Sequence, residues 1–168
     1  MKRILATALM CGVFFTPAYA APLYTGIQID DTATGILFGY QLDKTYAVEL
    51  HYAEAYSNIT HAGITVDTKT ASTGISGVAR FHMKLRNVLP YDLFVKVGYE
   101  HVEITDDYSI PSTVTLSLPY NDTKKSSKNQ LILGGGAEYN FNKNVAGRAG
   151  LELKDTDRSF NMAVIYKF

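Results

Sequence analysis

Ionisable residues in this chain recur at alternate positions. Glu49 and His51 stand two apart, as do Arg80 and His82, and on an extended strand residues two apart share a face. That spacing sets a carboxylate or a guanidinium beside an imidazole, a pairing suited to acid/base work or to holding a metal. Further along, Lys84, Lys96, Glu100, Glu138, Arg148, Glu152 and Lys167 keep a matching parity within their own segments. Glu138 and Arg148 are equidistant from Lys143, so a tight turn there makes them direct cross-strand neighbours. By the same arithmetic Gly39 faces Glu49 around Lys44, which leaves that carboxylate room to reach a base such as Arg80 or Lys96. Ions taken out of water cost several kcal/mol each unless paired, so on an enclosed face these groups must form a network.

The elements that carry them read as strands. Apolar residues recur with period two, the signal of a half-buried strand and not of a helix. From residue 23 to 30, Leu23, Ile27 and Ile29 oppose Tyr24, Gly26 and Gln28. Over 34 to 42, Ile36, Phe38, Tyr40 and Leu42 oppose Gly35, Gly39 and Gln41. A turn at residues 43 to 45 leads to Tyr46, Val48, Leu50 and Tyr52, set against Ala47, Glu49 and His51. Strand four, 73 to 85, aligns Ile75, Ala79, Phe81, Met83 and Leu85 against Ser76, Arg80, His82 and Lys84. Strand five, after a turn near 86 to 92, sets Leu93, Val95, Val97 and Tyr99 against Lys96, Gly98 and Glu100. Strand six, 130 to 141, sets Leu131, Leu133, Ala137, Tyr139 and Phe141 against Gln130, Gly134, Gly136 and Glu138. A turn at 142 to 144 leads to Val145, Ala149, Leu151 and Leu153, against Arg148, Gly150, Glu152 and Lys154. The last strand puts Phe160, Met162, Val164, Tyr166 and Phe168 on one face, with Asn161, Ala163, Ile165 and Lys167 on the other.

Composition agrees with a sheet. The chain has 168 residues, 12 Tyr and 8 Phe without a Trp, 13 Gly and only 5 Pro, and 46% of it is hydrophobic. Aromatic and β-branched residues favour strands. The formal charge of +0 gives no basic surface for nucleic acid. Lys2 and Arg3, the apolar run 4 to 15 and Ala18-Tyr19-Ala20 predict a cleaved secretory signal over residues 1–20, leaving a single domain at 21–168. That run is too short to span a bilayer. Cys11, the only cysteine, leaves with the signal. A lipoprotein signal would use it, but Met10 stands where a small residue is needed. The mature chain then has no thiol and no disulfide.

One face is uniformly greasy, while the other mixes glycine, alanine and ions of both signs. An eight-stranded barrel has an interior just wide enough for side chains to fill, so the small and charged face suits the inside and the greasy face suits lipid. An even strand number closes the sheet and leaves no edge in hydrocarbon. Joins after strands two, four and six are short. Those after strands three and five, near 54 to 72 and 103 to 129, are long, as outer loops are. Tyr40, Tyr46, Tyr139, Phe141, Tyr166 and Phe168 then gather at the inner lipid–water boundary as an aromatic girdle.

On these residues the chain, over 21–168, resembles the small outer-membrane barrels of the OmpX, OmpA-domain and opacity-protein type. The resemblance implies an all-β, eight-stranded antiparallel up-and-down transmembrane barrel in the bacterial outer membrane. It also implies that Phe160, Met162, Val164, Tyr166 and Phe168 are read by the barrel-assembly machinery. No Ala/Pro linker and peptidoglycan-binding domain are expected after the barrel, and so no cell-wall anchoring. Lipid A deacylases of comparable size place a His and a Ser two apart on one strand, a spacing that none of His51, His61, His82 and His101 has. Lipid A palmitoyl-transfer barrels carry an amphipathic helix before strand one, for which there is no room here.

The expectation is therefore a monomeric, non-enzymatic barrel without cofactor or metal. Its lumen network of Glu49, Arg80, Lys84, Lys96, Glu100, Glu138, Arg148, Glu152 and Lys167 reads as a structural plug or, alternatively, an ion path. His51 and His82 are expected as satisfied lumen histidines, His61 and His101 as solvated ones at or above the rim. Lys124, Lys125 and Lys128 in the long third loop are candidates for lipopolysaccharide phosphates. "SIPSTVTLSLPY", 109 to 120, alternates like a protruding hairpin whose edge could add a partner strand. Outer loops that support envelope integrity or adhesion to a host or surface ligand are the leading functional expectation. A lipid A-modifying enzyme, a narrow pore and a soluble periplasmic binder of lipocalin type are the alternatives.

Overall fold

The computed structural model describes residues 22–61, 64–83, 91–110, 120–155 and 157–168. Eight strands, β1 (Leu23–Asp30), β2 (Thr34–Gln41), β3 (Tyr46–His61), β4 (Ile64–Met83), β5 (Tyr91–Ile110), β6 (Tyr120–Asn140), β7 (Val145–Lys154) and β8 (Asp157–Lys167), follow one another around a closed barrel. Every neighbouring pair is antiparallel, and β1 closes on β8 with Tyr24 opposite Lys167 and Asp30 opposite Asn161. The signal-peptide reading of 1–20, Lys84 of the expected network and residues 111–119 of the expected protruding hairpin lie outside the described residues.

Short side chains set the tight turns. Asp43 Oδ1 accepts from the backbone N–H of Thr45 and Tyr46, both at 2.7 Å, and Asn142 Oδ1 accepts from Asn144 and Val145, both at 2.8 Å. Asp30 Oδ1 does the same for Thr32 and Ala33 in the β1–β2 turn. Each is an Asx turn, in which the side chain stands in for a backbone acceptor. At the β7–β8 turn Asp155 has φ 52°, a left-handed conformation that Asp tolerates.

The greasy residues face outward. Ile27, Phe38, Leu50, Ile75, Val97, Leu133, Leu151 and Val164 are all exposed around the circumference. Tyr40, Tyr46, Phe141, Tyr166 and Phe168 are exposed at one rim, where Tyr139 packs edge-on to Phe141 and Tyr166 edge-on to Phe168, each with centroids 5.2 Å apart.

Two expectations are corrected. The described residues of the stretches near 54 to 72 and 103 to 129 are strand and not loop. Pairing of β3 with β4 continues to His61 opposite Ile64, and pairing of β5 with β6 continues to Ile110 opposite Tyr120. Both faces meet water there, so the apolar period disappears although the backbone ladder does not. Nor is the interior wholly polar: Tyr24, Leu37, Val78, Phe94, Ala146 and Ile165 form a buried apolar cluster inside it.

Because β2 reaches only Thr34, opposite Glu54, and β7 only Lys154, opposite Ile132, the wall is lopsided. A four-stranded sheet of β3, β4, β5 and β6 stands beyond the rim on one side. The β1–β2 and β7–β8 turns stop at the rim on the other.

Candidate functional site

Two places concentrate polar chemistry: the lumen and the protruding sheet. In the lumen, Glu49, Arg80, Lys96, Glu100, Glu138, Arg148 and Glu152 are all buried. They group into an inner and an outer cluster. In the inner one the Arg148 guanidinium bridges two carboxylates. Its Nη1 donates to both oxygens of Glu49, at 2.7 and 3.0 Å, and its Nη2 and Nε donate to Glu138 Oε2 at 2.9 and 3.2 Å. Arg80 lies 3.7 Å from Glu49 and 3.4 Å from Glu138. Lys167 Nζ caps Glu138 Oε1 at 2.8 Å, and the Tyr24 hydroxyl donates to Glu49 at 2.6 Å. Both guanidiniums sit over rings, Arg80 over Tyr24 and Arg148 over Phe94, each 4.8 Å from the centroid, a placement that suits a desolvated cation.

In the outer cluster Lys96 donates to Glu152 at 2.6 Å. Lys154 lies between Glu152, Glu100 and Asp30, at 3.8, 3.6 and 3.8 Å. Glu100 accepts from Gln130 at 2.7 Å and meets His51 Nε2 at 3.1 Å. Among the described residues, these two clusters set Glu49, Glu100, Glu138, Glu152 and Asp30 against Arg80, Arg148, Lys96, Lys154 and Lys167, five against five, with Asp92 paired separately to His82. An evenly matched set avoids the large cost of an unpaired buried ion.

The register explains how these partners meet. Tyr24, Gly39 and Glu49 occupy one cross-strand row, and Tyr24 reaches over the glycine to the carboxylate. His51, Gly74 and Glu100 repeat the arrangement, and so do Lys96, Gly134 and Glu152. A Cβ on Gly39 would lie 2.0 Å from the Tyr24 ring, and one on Gly74 2.3 Å from the His51 ring. Gly39 and Gly74 are thus the spaces through which a donor crosses to an acceptor two strands away, whereas over Gly134 it is the acceptor that leans, with Glu152 Cγ 3.0 Å from the Cβ position. Gly39 does face Glu49, but the room it leaves is filled by Tyr24, a partner that spacing around a single turn does not reveal.

The histidines differ in setting. His51 is 7% exposed, with Nε2 on Glu100 and Nδ1 without a partner among the described residues. Glu100 orienting one ring nitrogen leaves the other free, as in a general base, but the ring is sealed against Gly74 inside the wall. His82 pairs with Asp92 at 2.6 Å at the inner rim and is exposed, not enclosed in the lumen. His61 and His101 are exposed on the protruding sheet.

On that sheet Lys124, Lys125 and Lys128 belong to β6 rather than to a loop, and alternation divides them. Lys125 shares the outward face with Asn129 and Leu131, while Lys124 and Lys128 share the opposite face with Gln130. Lys124 stands opposite Asp106, and Lys128 opposite Val102. Outside the wall, Glu54 accepts from Tyr52, from Tyr56 at 2.7 Å and from Lys69 at 2.9 Å. Those donors, Tyr52 foremost, lower its carboxyl to about 2. Sequence reasoning passed over Glu54 and Lys69, because it placed both in a loop, where cross-strand neighbours cannot be paired off.

Phe160, Met162, Val164, Tyr166 and Phe168 form one exposed outward row on and just past β8. The Phe168 N–H donates to the Leu23 carbonyl at 3.1 Å across the closing seam.

Comparison with curated proteins gives no match. Among solved structures, the N-terminal β-barrel domain of Pseudomonas aeruginosa OprF is similar over 87% of this chain and 96% of its own, at 15% identity and a TM-score of 0.62. Neisserial surface protein A is similar over 87% and 94%, at 16% identity and 0.56. The Yersinia pestis attachment invasion locus protein Ail, solved with the heparin analogue sucrose octasulfate, is similar over 87% and 95%, at 16% identity and 0.51. At these identities the likeness is one of fold. A sequence profile of the outer membrane protein beta-barrel domain matches residues 7–168, and with the closed antiparallel barrel, its greasy exterior and its ionic lumen this establishes that the chain belongs to that family of bacterial outer-membrane proteins.

Proposed function

We propose that this barrel is a non-enzymatic surface protein that meets its partners through the sheet of β3, β4, β5 and β6, in support of adhesion or envelope integrity. The observation that carries this reading is the lopsided wall. Four strands continue beyond the rim while the other four stop there. Membrane anchoring does not require such an extension, and surface binding does, since it needs a rigid platform clear of the lipid headgroups. The matched lumen ions favour a plug over a conducting path, and the sealed setting of His51 favours a structural imidazole over a catalytic one. The Ail complex supports a sulfated polysaccharide as the first probe. In the same reading, residues 1–20 are removed on export, the outward row ending at Phe168 addresses the chain to the assembly machinery, and the barrel works as a monomer.

The test removes the platform and keeps the barrel. Excising residues 57–68 and 105–125 in register shortens both hairpins to the rim. Cells displaying the shortened protein should lose binding to heparin-coated and host-cell surfaces, while heat-modifiable gel migration shows an intact barrel. Full binding by the shortened protein refutes the reading. Changed lipid A masses in cells carrying the full-length protein would favour the enzyme, and stable steps in a planar bilayer would favour the pore.

A further inference from the structure

The outward face of the protruding sheet carries charge in rows. Tyr52, Thr73, His101 and Asn129 lie in register just beyond the last greasy row of Leu50, Ile75, Tyr99 and Leu131. Next come Glu54, Ala71, Glu103 and Ser127, then Tyr56, Lys69, Thr105 and Lys125, then Asn58, Asp67, Asp107 and Thr123. One row is cationic, with carboxylates in the rows on both sides of it. Neighbouring strands are about 4.8 Å apart, so Lys69 and Lys125 stand roughly 10 Å apart at the backbone with the Thr105 hydroxyl between them. Lys69 keeps half of its side chain in water while paired to Glu54, and Lys125 is exposed without an ion pair among the described residues.

The position of this row selects its ligand. From Leu131 to Lys125 the strand advances about 20 Å, or about 15 Å along the barrel axis at the usual tilt. Beside a lipid-embedded wall, on its outward side, that height lies above the acyl chains, among the sugar-linked anions of the outer leaflet. We infer that Lys69, Thr105 and Lys125 form a binding row for lipopolysaccharide phosphates on the membrane-facing side of the sheet, and that Lys124 and Lys128 take no part in it. The row stands on the same face as the lipid-contacting surface, with two rows between it and the last greasy one, and its two cations are opposite in charge to the ligand. It leaves the other face of the sheet for soluble partners, so the two roles fail independently.

The experiment compares faces at equal change of charge. K69Q/K125Q and K124Q/K128Q variants of the mature chain are placed in nanodiscs containing lipopolysaccharide, the same lipid dephosphorylated, or phosphatidylglycerol. Bound lipid is counted by native mass spectrometry, and folding is checked by heat-modifiable migration. K69Q/K125Q should retain about tenfold less lipopolysaccharide, with K124Q/K128Q unchanged and the parent losing a similar factor on the dephosphorylated lipid. E54Q, which breaks the Lys69 ion pair but keeps the cation, should bind as the parent does. Equal losses in both lysine pairs, no loss in K69Q/K125Q, or the same loss toward phosphatidylglycerol would each overturn the inference.

Discussion

Adding one methyl group to each row glycine tests the donor–glycine–carboxylate rows directly. In Gly39→Ala the new Cβ would stand 2.0, 2.2 and 2.5 Å from three atoms of the Tyr24 ring. No rotamer adjustment of a few tenths of an ångström relieves that, so the ring must leave. Leaving forfeits its hydrogen bond to the Glu49 carboxylate, about 1.5–3 kcal/mol for a charged acceptor. Repacking a full interior adds about 1–3 kcal/mol. The lower backbone entropy of the unfolded alanine chain offsets about 0.4–1 kcal/mol. The expected net loss is about 3–4 kcal/mol. Gly74→Ala meets the His51 ring at 2.3 Å and the Tyr99 carbonyl at 2.8 Å, and should lose about 2–3 kcal/mol by the same two routes. Gly134→Ala meets Glu152 Cγ at 3.0 Å and the Leu151 carbonyl oxygen at 3.2 Å, contacts that a shift of a few tenths of an ångström relieves, and should lose about 1 kcal/mol. Urea midpoints in phospholipid vesicles, read as the heat-modifiable folded fraction on gels, give the three values. Truncating the ring supplies the cycle: Tyr24→Ala combined with Gly39→Ala should cost at least about 1 kcal/mol less than the sum of the two singles. If Gly39→Ala lies within about 0.5 kcal/mol of the parent, or adds fully to Tyr24→Ala, the ring does not cross the glycine and the reasoning is wrong.

Arg148→Met leaves Glu49 and Glu138 with only the more distant Arg80 and their caps from Tyr24 and Lys167. It should cost about 3–5 kcal/mol in the same urea assay, and Glu49→Gln in that background should recover at least half by restoring the charge balance. Glu54, held down to about 2 from an ordinary 4.5, stabilises the outer part of the β3–β4 hairpin fully above pH 4.5. That contribution is lost as pH falls from there toward 2. Because the site is open to solvent the effect stays under about 1 kcal/mol, and amide exchange across residues 55–70 should show it in the parent and not in Glu54→Gln. Deleting Phe168 removes an exposed ring and one seam hydrogen bond. Refolded stability should therefore fall by no more than about 1–2 kcal/mol, while the amount assembled in cells falls severalfold on quantitative blots; equal, small effects on both would deny the outward row its role in assembly.

Much of the barrel was legible because lipid and lumen impose opposite demands on alternate residues. Glu138 and Arg148 could be paired from the turn between them. Three things stayed hidden, each for a physical reason. Leu37, Val78, Phe94 and Ile132 point inward between greasy neighbours, as in Ile36-Leu37-Phe38 and Leu131-Ile132-Leu133. Where both faces are apolar the period vanishes, so the apolar part of the lumen cannot be separated from the lipid-facing wall. The extensions of β3 to β6 lost the period the opposite way, with water on both faces. Partners such as Tyr24 with Glu49, or His51 with Glu100, sit two strands apart. Hairpin arithmetic reaches one neighbour only, and the register of the closing strands settles the rest.

The same asymmetry bears on what fixes the register. On the outer wall Ile, Leu, Val and Phe are nearly interchangeable partners for acyl chains, so a slip of β2 by two residues against β3 would still present a greasy exterior. Inside, that slip would put Leu37 or Gln41 where Gly39 now stands opposite Glu49, closing the gap through which Tyr24 reaches the carboxylate. A one-residue slip would turn Glu49 toward an outward Phe38 or Tyr40 and expose it to hydrocarbon. The cost of misplacing a lumen ion is several kcal/mol, far more than any difference between greasy side chains in lipid. Specificity in this fold therefore resides in the lumen. The buried ions add less to the depth of the native state than to its separation from the misregistered barrels that the lipid-facing residues alone would permit.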